Sequence, residues 1–268
     1  MRKYNNKEKD AHIKMKLRKI VLLKKKTDKI SKKQIRPITV LNTFYKIMSK
    51  LINMTLSQSV NDILPASLVA YRKGNCRNRT LRYILDMIDL IIENKDHAYV
   101  IQYDLTAAYD TMSRNYAYAC FKEMGVPEEH IMLIKNLIEN NEANITKENR
   151  TIGKITIETG IGQGDSNFNV IFNIGNILIA IVLSSIKGIK EIKLNRVNNI
   201  DGKTSELNIK SKPVIYADDG LVTVKTIQDI KTVLEKLEKF SQISGRKILS
   251  DKLRISNIGG NLSEDEVK

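Results

Sequence analysis

The chain has 268 residues, room for one large domain or two small ones, and its 42% apolar content excludes a disordered tail. The formal charge of +15 is lopsided: residues 1–36 hold fifteen Lys or Arg against Glu8, Asp10 and Asp28, and only +3 is left for the rest. Cys76 and Cys120 follow no ligand spacing and the histidines are His12, His97 and His130, which excludes a disulfide framework or zinc site and suits a reducing compartment.

In chain order, residues 1–19 read as a basic leader of helical character with no apolar h-region, so no secretory signal is expected. Such a leader on a near-neutral body points to a polyanionic partner, most simply nucleic acid, or else to a solvated or targeting tail. Ile20-Val21-Leu22-Leu23 and Ile35 to Leu41 read as a basic hairpin, with Pro37 suited to an edge. Tyr45, Met48, Leu51, Ile52 and Leu56 give helical spacing over 43–60; Leu81, Ile84, Leu85, Ile88 and Ile91 give it over 79–94. Between them lies the basic loop Ala70-Tyr71-Arg72-Lys73-Gly74. Ala98 to Leu105 is a strand, 114–139 is helical with a break at Gly125-Val126-Pro127, and Asn144 to Thr159 is a strand pair. A glycine loop at 160–166 opens an apolar helix at 168–186, interrupted by Asn173, Gly175 and Asn176, which reads as buried and short for a membrane span. Residues 190–212 read as a polar variable loop with strand edges, 226–243 as an amphipathic helix, and Gly245 to Ile258 as turn and strand.

The stretch that organises the rest is Tyr216-Ala217-Asp218-Asp219-Gly220, set between Pro213-Val214-Ile215 and Leu221-Val222-Thr223-Val224. β-branched runs on both sides of a D-D-G tip predict a hairpin. Acidic turns are common in their own right, because Asp favours such positions. Paired carboxylates resist joint ionisation, however, and a divalent cation with hard oxygen ligands removes that cost. A third carboxylate is available at Asp104, where the strand from Ala98 ends. Across two metal ions, such a trio suits phosphoryl transfer, with basic clamps from the hairpin around Lys24, Lys25, Lys26 and Arg36.

Six segments, in order, resemble the motifs of reverse transcriptases from retroelements that lack long terminal repeats. They are Ile35 to Asn42 with Tyr45-Lys46; Tyr71 to Gly74; Tyr103-Asp104-Leu105-Thr106-Ala107-Ala108-Tyr109-Asp110; Gly162-Gln163-Gly164-Asp165 with Phe172-Asn173; the Tyr216–Asp219 box; and Ser244 to Ile248 with Ser250-Asp251-Lys252. The resemblance implies an α+β fold: a right-hand polymerase palm, with an antiparallel sheet backed by helices, plus fingers and an absent or incomplete thumb. It implies a fingers region at 20–95, a palm at 96–258 with 114–158 returning to the fingers, and a polar tail at 259–268. It implies RNA-directed DNA synthesis with an RNA template, a DNA primer, deoxynucleoside triphosphates and two Mg²⁺ ions, Mn²⁺ being a substitute, in an intracellular, nuclear setting.

By the same resemblance, Asp104, Asp218 and Asp219 hold the metals, with the Leu105 carbonyl completing one shell. Lys252 protonates the leaving pyrophosphate. Tyr109 gates against the 2′-hydroxyl, with core packing as its plain alternative. Gln163 and Gly164 touch nucleotide and template, Lys25 and Arg36 clamp triphosphate, and Arg72, Lys73 and Tyr216 touch nucleic acid. The pattern departs at Phe168-Asn169, where the family carries Ser-Pro. Neither an endonuclease region nor an RNase H region accompanies the motifs, so the expectation is a fragment of a longer polyprotein or a decayed copy. A catalytically inactive remnant that only binds nucleic acid, and an RNA-templated RNA polymerase, are the alternatives. Ala217 before the acidic pair, where RNA polymerases usually present Gly, weighs against the second.

Overall fold

The computed structural model describes residues 16–24, 35–72, 74–106, 109–147, 150–161, 168–197 and 204–259. In chain order the elements are β1 (Arg18–Lys24), β2 (Ile35–Val40), α1 (Thr43–Ile63), α2 (Arg77–Glu93), β3 (Ala98–Thr106), α3 (Arg114–Glu123), α4 (Glu128–Ile138), β4 (Asn141–Lys147) and β5 (Arg150–Ile157). They continue as α5 (Phe168–Ser184), β6 (Glu191–Val197), β7 (Thr204–Lys210), β8 (Val214–Tyr216), β9 (Asp219–Val224), α6 (Ile227–Ser244), β10 (Lys247–Ile248), a 3-10 turn at Ser250–Lys252 and β11 (Arg254–Ile258). The chain divides into two compact units, one of Met1–Asp62 with Tyr109–Gly175, the other of Ile63–Ala108 with Asn176–Lys268. Residues 63–95, which the resemblance assigns to the fingers, group with β3, β8 and β9.

In the first unit, β1 and β2 form the expected antiparallel hairpin, with Pro37 on the edge strand, where its missing N–H leaves no interior ladder broken. The hairpin is half of a four-stranded sheet ordered β2-β1-β4-β5, because β1 also pairs in parallel with β4. The leader helix expected through residue 19 is corrected: Arg18 and Lys19 are strand residues, and residues 1–15 lie outside the described set. Arg18 is buried; its Nη2 donates to the Tyr45 hydroxyl at 2.9 Å and its guanidinium lies 5.1 Å from that ring's centre. Tyr45 leads the buried stripe of α1, followed by Ser49, Ile52, Leu56 and Val60. Met48 and Leu51, expected in that stripe, are exposed. The helix has apolar residues on two faces, and the one aligned with Tyr45 is buried. α3 and α4 separate at Gly125, in the left-handed region at φ 74°, as the expected break requires.

In the second unit, β3 is the central strand. β9 pairs antiparallel along one edge, while β10 and then β11 occupy successive lengths of the other. β8 lies outside β9, and its own outer edge is covered by residues 67–69: Ile215 N–H donates to the Ser67 carbonyl at 2.8 Å and Val69 N–H to the Ile215 carbonyl at 3.0 Å. Met87 and Ile91 of α2 close a core with Ala98 and Ile192. Leu81 and Leu85, expected on the core face of α2, are exposed. In the polar stretch expected as a variable loop with strand edges, β6 and β7 pair as an antiparallel ribbon. Among the described residues no helix is long and apolar enough to cross a membrane.

Candidate active site

Tyr216 stands opposite Asp219, so the turn between β8 and β9 is Ala217-Asp218, one residue ahead of the D-D-G tip expected from the sequence. A two-residue hairpin loop of this kind wants a positive φ at its first position. Ala217 supplies it at φ 56°, a conformation that costs a non-glycine residue about 1–2 kcal/mol. Asp219 and Gly220 are strand residues. Gly220 pairs with Tyr103, and a Cβ there would collide with the buried Tyr103 ring. The glycine therefore serves cross-strand packing and not the turn.

The register of β3 against β9 sets Asp104 opposite Asp219. The Leu105 N–H donates to the Asp218 carbonyl at 3.0 Å, which ties the turn to the end of β3. Leu249 N–H in turn donates to the Asp104 carbonyl at 2.9 Å. Asp104 is buried, and its Oδ2 is held by the Lys252 ammonium, carried on the 3-10 turn after β10. Burial, then the charges of Asp219 and Asp104, push the Asp218 carboxyl above its ordinary value, against the pull of its own backbone N–H and Lys252. Burial and Asp104 do the same to Asp219, opposed by Lys252. The hydrogen bond to Asp104 raises the Lys252 ammonium despite some burial, with the three carboxylate charges adding to it.

These residues fit a divalent cation. The donors are hard carboxylate oxygens, those of Asp104 and Asp219 in cross-strand register and that of Asp218 in the adjoining turn; neighbouring carboxylate charge discourages ionisation of Asp218 and Asp219, and an ammonium already stands as a cation on Asp104. Among the described residues no three acidic, His or Cys side chains are gathered closely enough to form a finished cage.

The second unit thus brings together Asp104, Leu105, Asp218, Asp219 and Lys252, and it also holds Tyr216 and Arg72. Tyr216 is 42% exposed and lines, with Arg77, Leu81, Gln102, Asp219 and Leu221, a cavity of about 380 Å³. Arg72 Nη1 donates to the Pro65 carbonyl at 3.2 Å, so part of its guanidinium is spent on its own loop. Tyr109 belongs to the first unit, 9% exposed, its ring centre 4.2 Å from that of Phe172 and its carbonyl accepting from Ile161 N–H. Arg36 lies in β2 opposite Leu23. Lys25, Lys73, Gln163 and Gly164 lie outside the described residues.

Sequence reasoning passed over three buried polar residues. Arg114 donates to the carbonyls of Gly160 at 2.8 Å, Ile157 at 3.0 Å and Thr159 at 3.3 Å, anchoring the entry to the glycine loop. Arg246 and Asn176 are hydrogen-bonded to each other in the second unit. Arg246 lies inside the last of the six motif segments and Asn176 interrupts an apolar helix, and those were the available signals.

The model of the reverse transcriptase (RNA-dependent DNA polymerase) family matches residues 23–268. The retrovirus-related Pol polyprotein of a type-2 retrotransposable element from Drosophila melanogaster is 21% identical over 235 residues, which is 84% of this chain and 20% of that protein. Among solved structures, apo telomerase from Candida tropicalis, truncated from its C-terminal domain, superposes with a TM-score of 0.64 at 13% identity, over 94% of this chain and 51% of that one. Telomerase from Candida albicans in complex with a fragment of telomeric RNA gives 0.56 at 11% identity, over 90% of this chain and 41% of that one. The chain therefore spans a fifth of the retroelement polyprotein and about half or less of the telomerases. At these identities the telomerases speak for the fold, the α+β polymerase palm and fingers. With the family match over nearly its whole length, the chain belongs to the reverse transcriptase (RNA-dependent DNA polymerase) family.

Proposed function

We propose that this chain is the polymerising core of an RNA-directed DNA polymerase, extending a DNA primer along an RNA template with deoxynucleoside triphosphates. The observation that carries the reading is the register that sets Asp104 opposite Asp219, with Asp218 in the adjoining turn. Asp104, Asp218 and Asp219, with the Leu105 carbonyl, would hold two Mg²⁺ ions, or Mn²⁺ in their place. Such ions, when bound, activate the attacking 3′-hydroxyl and neutralise the leaving phosphate oxygens. Lys252 holds its proton at Nζ beside these carboxylates, ready for the departing pyrophosphate. By motif match, Tyr109 is assigned the exclusion of a 2′-hydroxyl, Gln163 and Gly164 contact with nucleotide and template, and Lys25 and Arg36 contact with the triphosphate. Contact with nucleic acid is assigned in the same way to Arg72, Lys73 and Tyr216. Support for these roles is the motif order and the family match.

The test is primer extension on an RNA template with Mg²⁺, paired with template affinity. Asp218→Asn and Asp104→Asn should each lower the extension rate on the order of 1000-fold or more while leaving affinity unchanged, because a missing ligand acts on the transition state. Near wild-type extension by Asp218→Asn would overturn the metal assignment. Tight template binding without extension by the wild-type chain would leave only the nucleic-acid-binding reading.

A further inference from the structure

Behind the acidic turn lies a buried polar pair with no part in the roles above. Asn176 of α5 is 1% exposed and Arg246, just past the C-terminus of α6, is 0% exposed. Arg246 Nη1 donates to Asn176 Oδ1 at 2.7 Å, and Asn176 Nδ2 donates to the Ala217 carbonyl at 3.2 Å. A guanidinium can only donate, so it fixes which end of the asparagine amide faces it and leaves the Nδ2 end directed at the turn. Arg246 is itself held: its guanidinium lies 4.8 Å from the centre of the Phe240 ring, and its N–H donates to Ser244 Oγ at 3.3 Å. It also places a cation at the C-terminal end of α6, where the helix dipole favours one.

The bond to the Ala217 carbonyl matters because that carbonyl and the Asp218 N–H share one planar peptide. Gripping the oxygen sets the plane from which the Asp218 side chain departs. On its other flank, Asp218 is fixed by the Leu105 N–H on its own carbonyl. A non-glycine residue at φ 56° persists only where its surroundings over-determine it, and this pair is such a surrounding.

We infer that Arg246 and Asn176 form a brace that positions the Asp218 carboxylate by holding the Ala217 carbonyl. Both are positioning residues: their effect on the carboxylate passes through the backbone of the turn. The inference rests on the proposed role of Asp218, and its test is arranged so that the two fail separately.

Asn176→Asp is the informative variant. The carboxylate keeps, and strengthens, the partner of Arg246 Nη1, so the buried guanidinium retains that bond and the fold stands. It has no N–H for the Ala217 carbonyl and sets an oxygen against it. The expected result is an unchanged melting temperature and template affinity, a turnover lower on the order of 10- to 100-fold, and weaker Mn²⁺ binding read by electron paramagnetic resonance without substrate. Amide exchange at Leu105, the reporter of the Asp218 carbonyl, should quicken. The second variant, Asn176→Leu with Arg246→Leu, removes both partners together, which leaves no unpaired buried charge. It should fold and show the same losses. Wild-type turnover and exchange in a folded Asn176→Asp, or in the folded double variant, would overturn the brace. Absence of extension by the wild-type chain, with exchange at Leu105 still quickened by Asn176→Asp, would sink the polymerase reading and keep the brace.

Discussion

Gly220 sits in β9 opposite Tyr103, and its bare backbone is what lets the buried Tyr103 ring lie across the strand. Gly220→Ala should therefore force ring and strand apart and cost roughly 1–3 kcal/mol, read as a fall in the urea midpoint at constant slope. A wild-type midpoint would mean that the ring swings aside freely. Tyr109 raises a different question, since its ring packs on Phe172 and is nearly buried. If one edge of that ring meets the incoming sugar, Tyr109→Val should raise the ratio of ribonucleotide to deoxynucleotide kcat/KM by roughly 10-fold or more, because the discrimination is a steric one. An unchanged ratio returns the residue to plain packing. At this scale the acidic pair Asp218-Asp219 was legible from residue type and its β-branched flanks, and Asp104 through the motif that carries it, while its place opposite Asp219 needed the strand register. Gly220, Asn176, Arg246 and Arg114 were not legible, because each takes its role from a partner distant in sequence: Tyr103, Ala217, Asn176 and Gly160.

Among the elements, α6 carries its start signal in its own sequence. Thr226 Oγ1 accepts from Asp229 N–H while the Asp229 carboxylate accepts from Thr226 N–H, a reciprocal cap. Thr226→Ala should cost about 1 kcal/mol, and chemical denaturation that shows no change in stability would mean that the cap contributes nothing. Ahead of β6, Lys190 is buried and its Nζ contacts Asp96 Oδ2 at 2.6 Å. Burial alone would raise the Asp96 carboxyl, but the Lys190 ammonium and the His97 N–H outweigh it and hold it below its ordinary value of 3.8. A depressed carboxylate contributes stability that is complete above that value and disappears as pH falls through the folded one. Asp96→Asn should destabilise the chain at neutral pH by roughly 2 kcal/mol, less than a fully buried pair because Asp96 is partly exposed. The difference between wild type and variant should shrink below pH 3.8, where Asp96 takes up its proton. A difference that stays constant from neutral pH down to acid would refute the pair. Element positions were legible because periodicity is a local property, yet the buried faces of α1 and α2 were only partly so: Tyr45, Ile52, Leu56 and Ile91 are buried as expected, whereas Met48, Leu51, Leu81 and Leu85 are exposed. Both helices have apolar residues on two faces, and only tertiary packing selects between them. The parallel join of β1 to β4 had no local signal, since the two strands lie more than a hundred residues apart.

For the molecule as a whole, the charge distribution is the widest-ranging feature, and the structure sharpens where its effect can be tested. A deletion through residue 19 would remove the leader, but it would also remove structural parts: Arg18, buried against Tyr45, the first ladder pairs of β1, and the Lys16 Nζ bond to the Glu139 carbonyl. Any drop in nucleic-acid affinity in that variant would be confounded by damage to the four-stranded sheet. Deleting residues 1–15 instead removes Arg2, Lys3, Lys7, Lys9 and Lys14 and keeps all of these interactions, along with Lys25 and Arg36. If the leader grips phosphates, every phosphate that the shortened chain no longer neutralises should flatten the salt dependence by roughly 0.7–0.9 in log K per log salt, with single strands at the low end and duplex at the high end. The shortened chain should melt like the full one, bind an RNA–DNA primer-template more weakly at low salt, and converge with it as salt rises. Because grip governs how long a polymerase stays on a template, the proposed activity should also give shorter products in single-encounter extension while the rate per added nucleotide is kept. The two measurements separate the alternatives. Coincident salt slopes would assign the leader to a solvated or targeting tail, and a lowered rate per nucleotide at equal affinity would mean that the leader acts on the site and not on the grip.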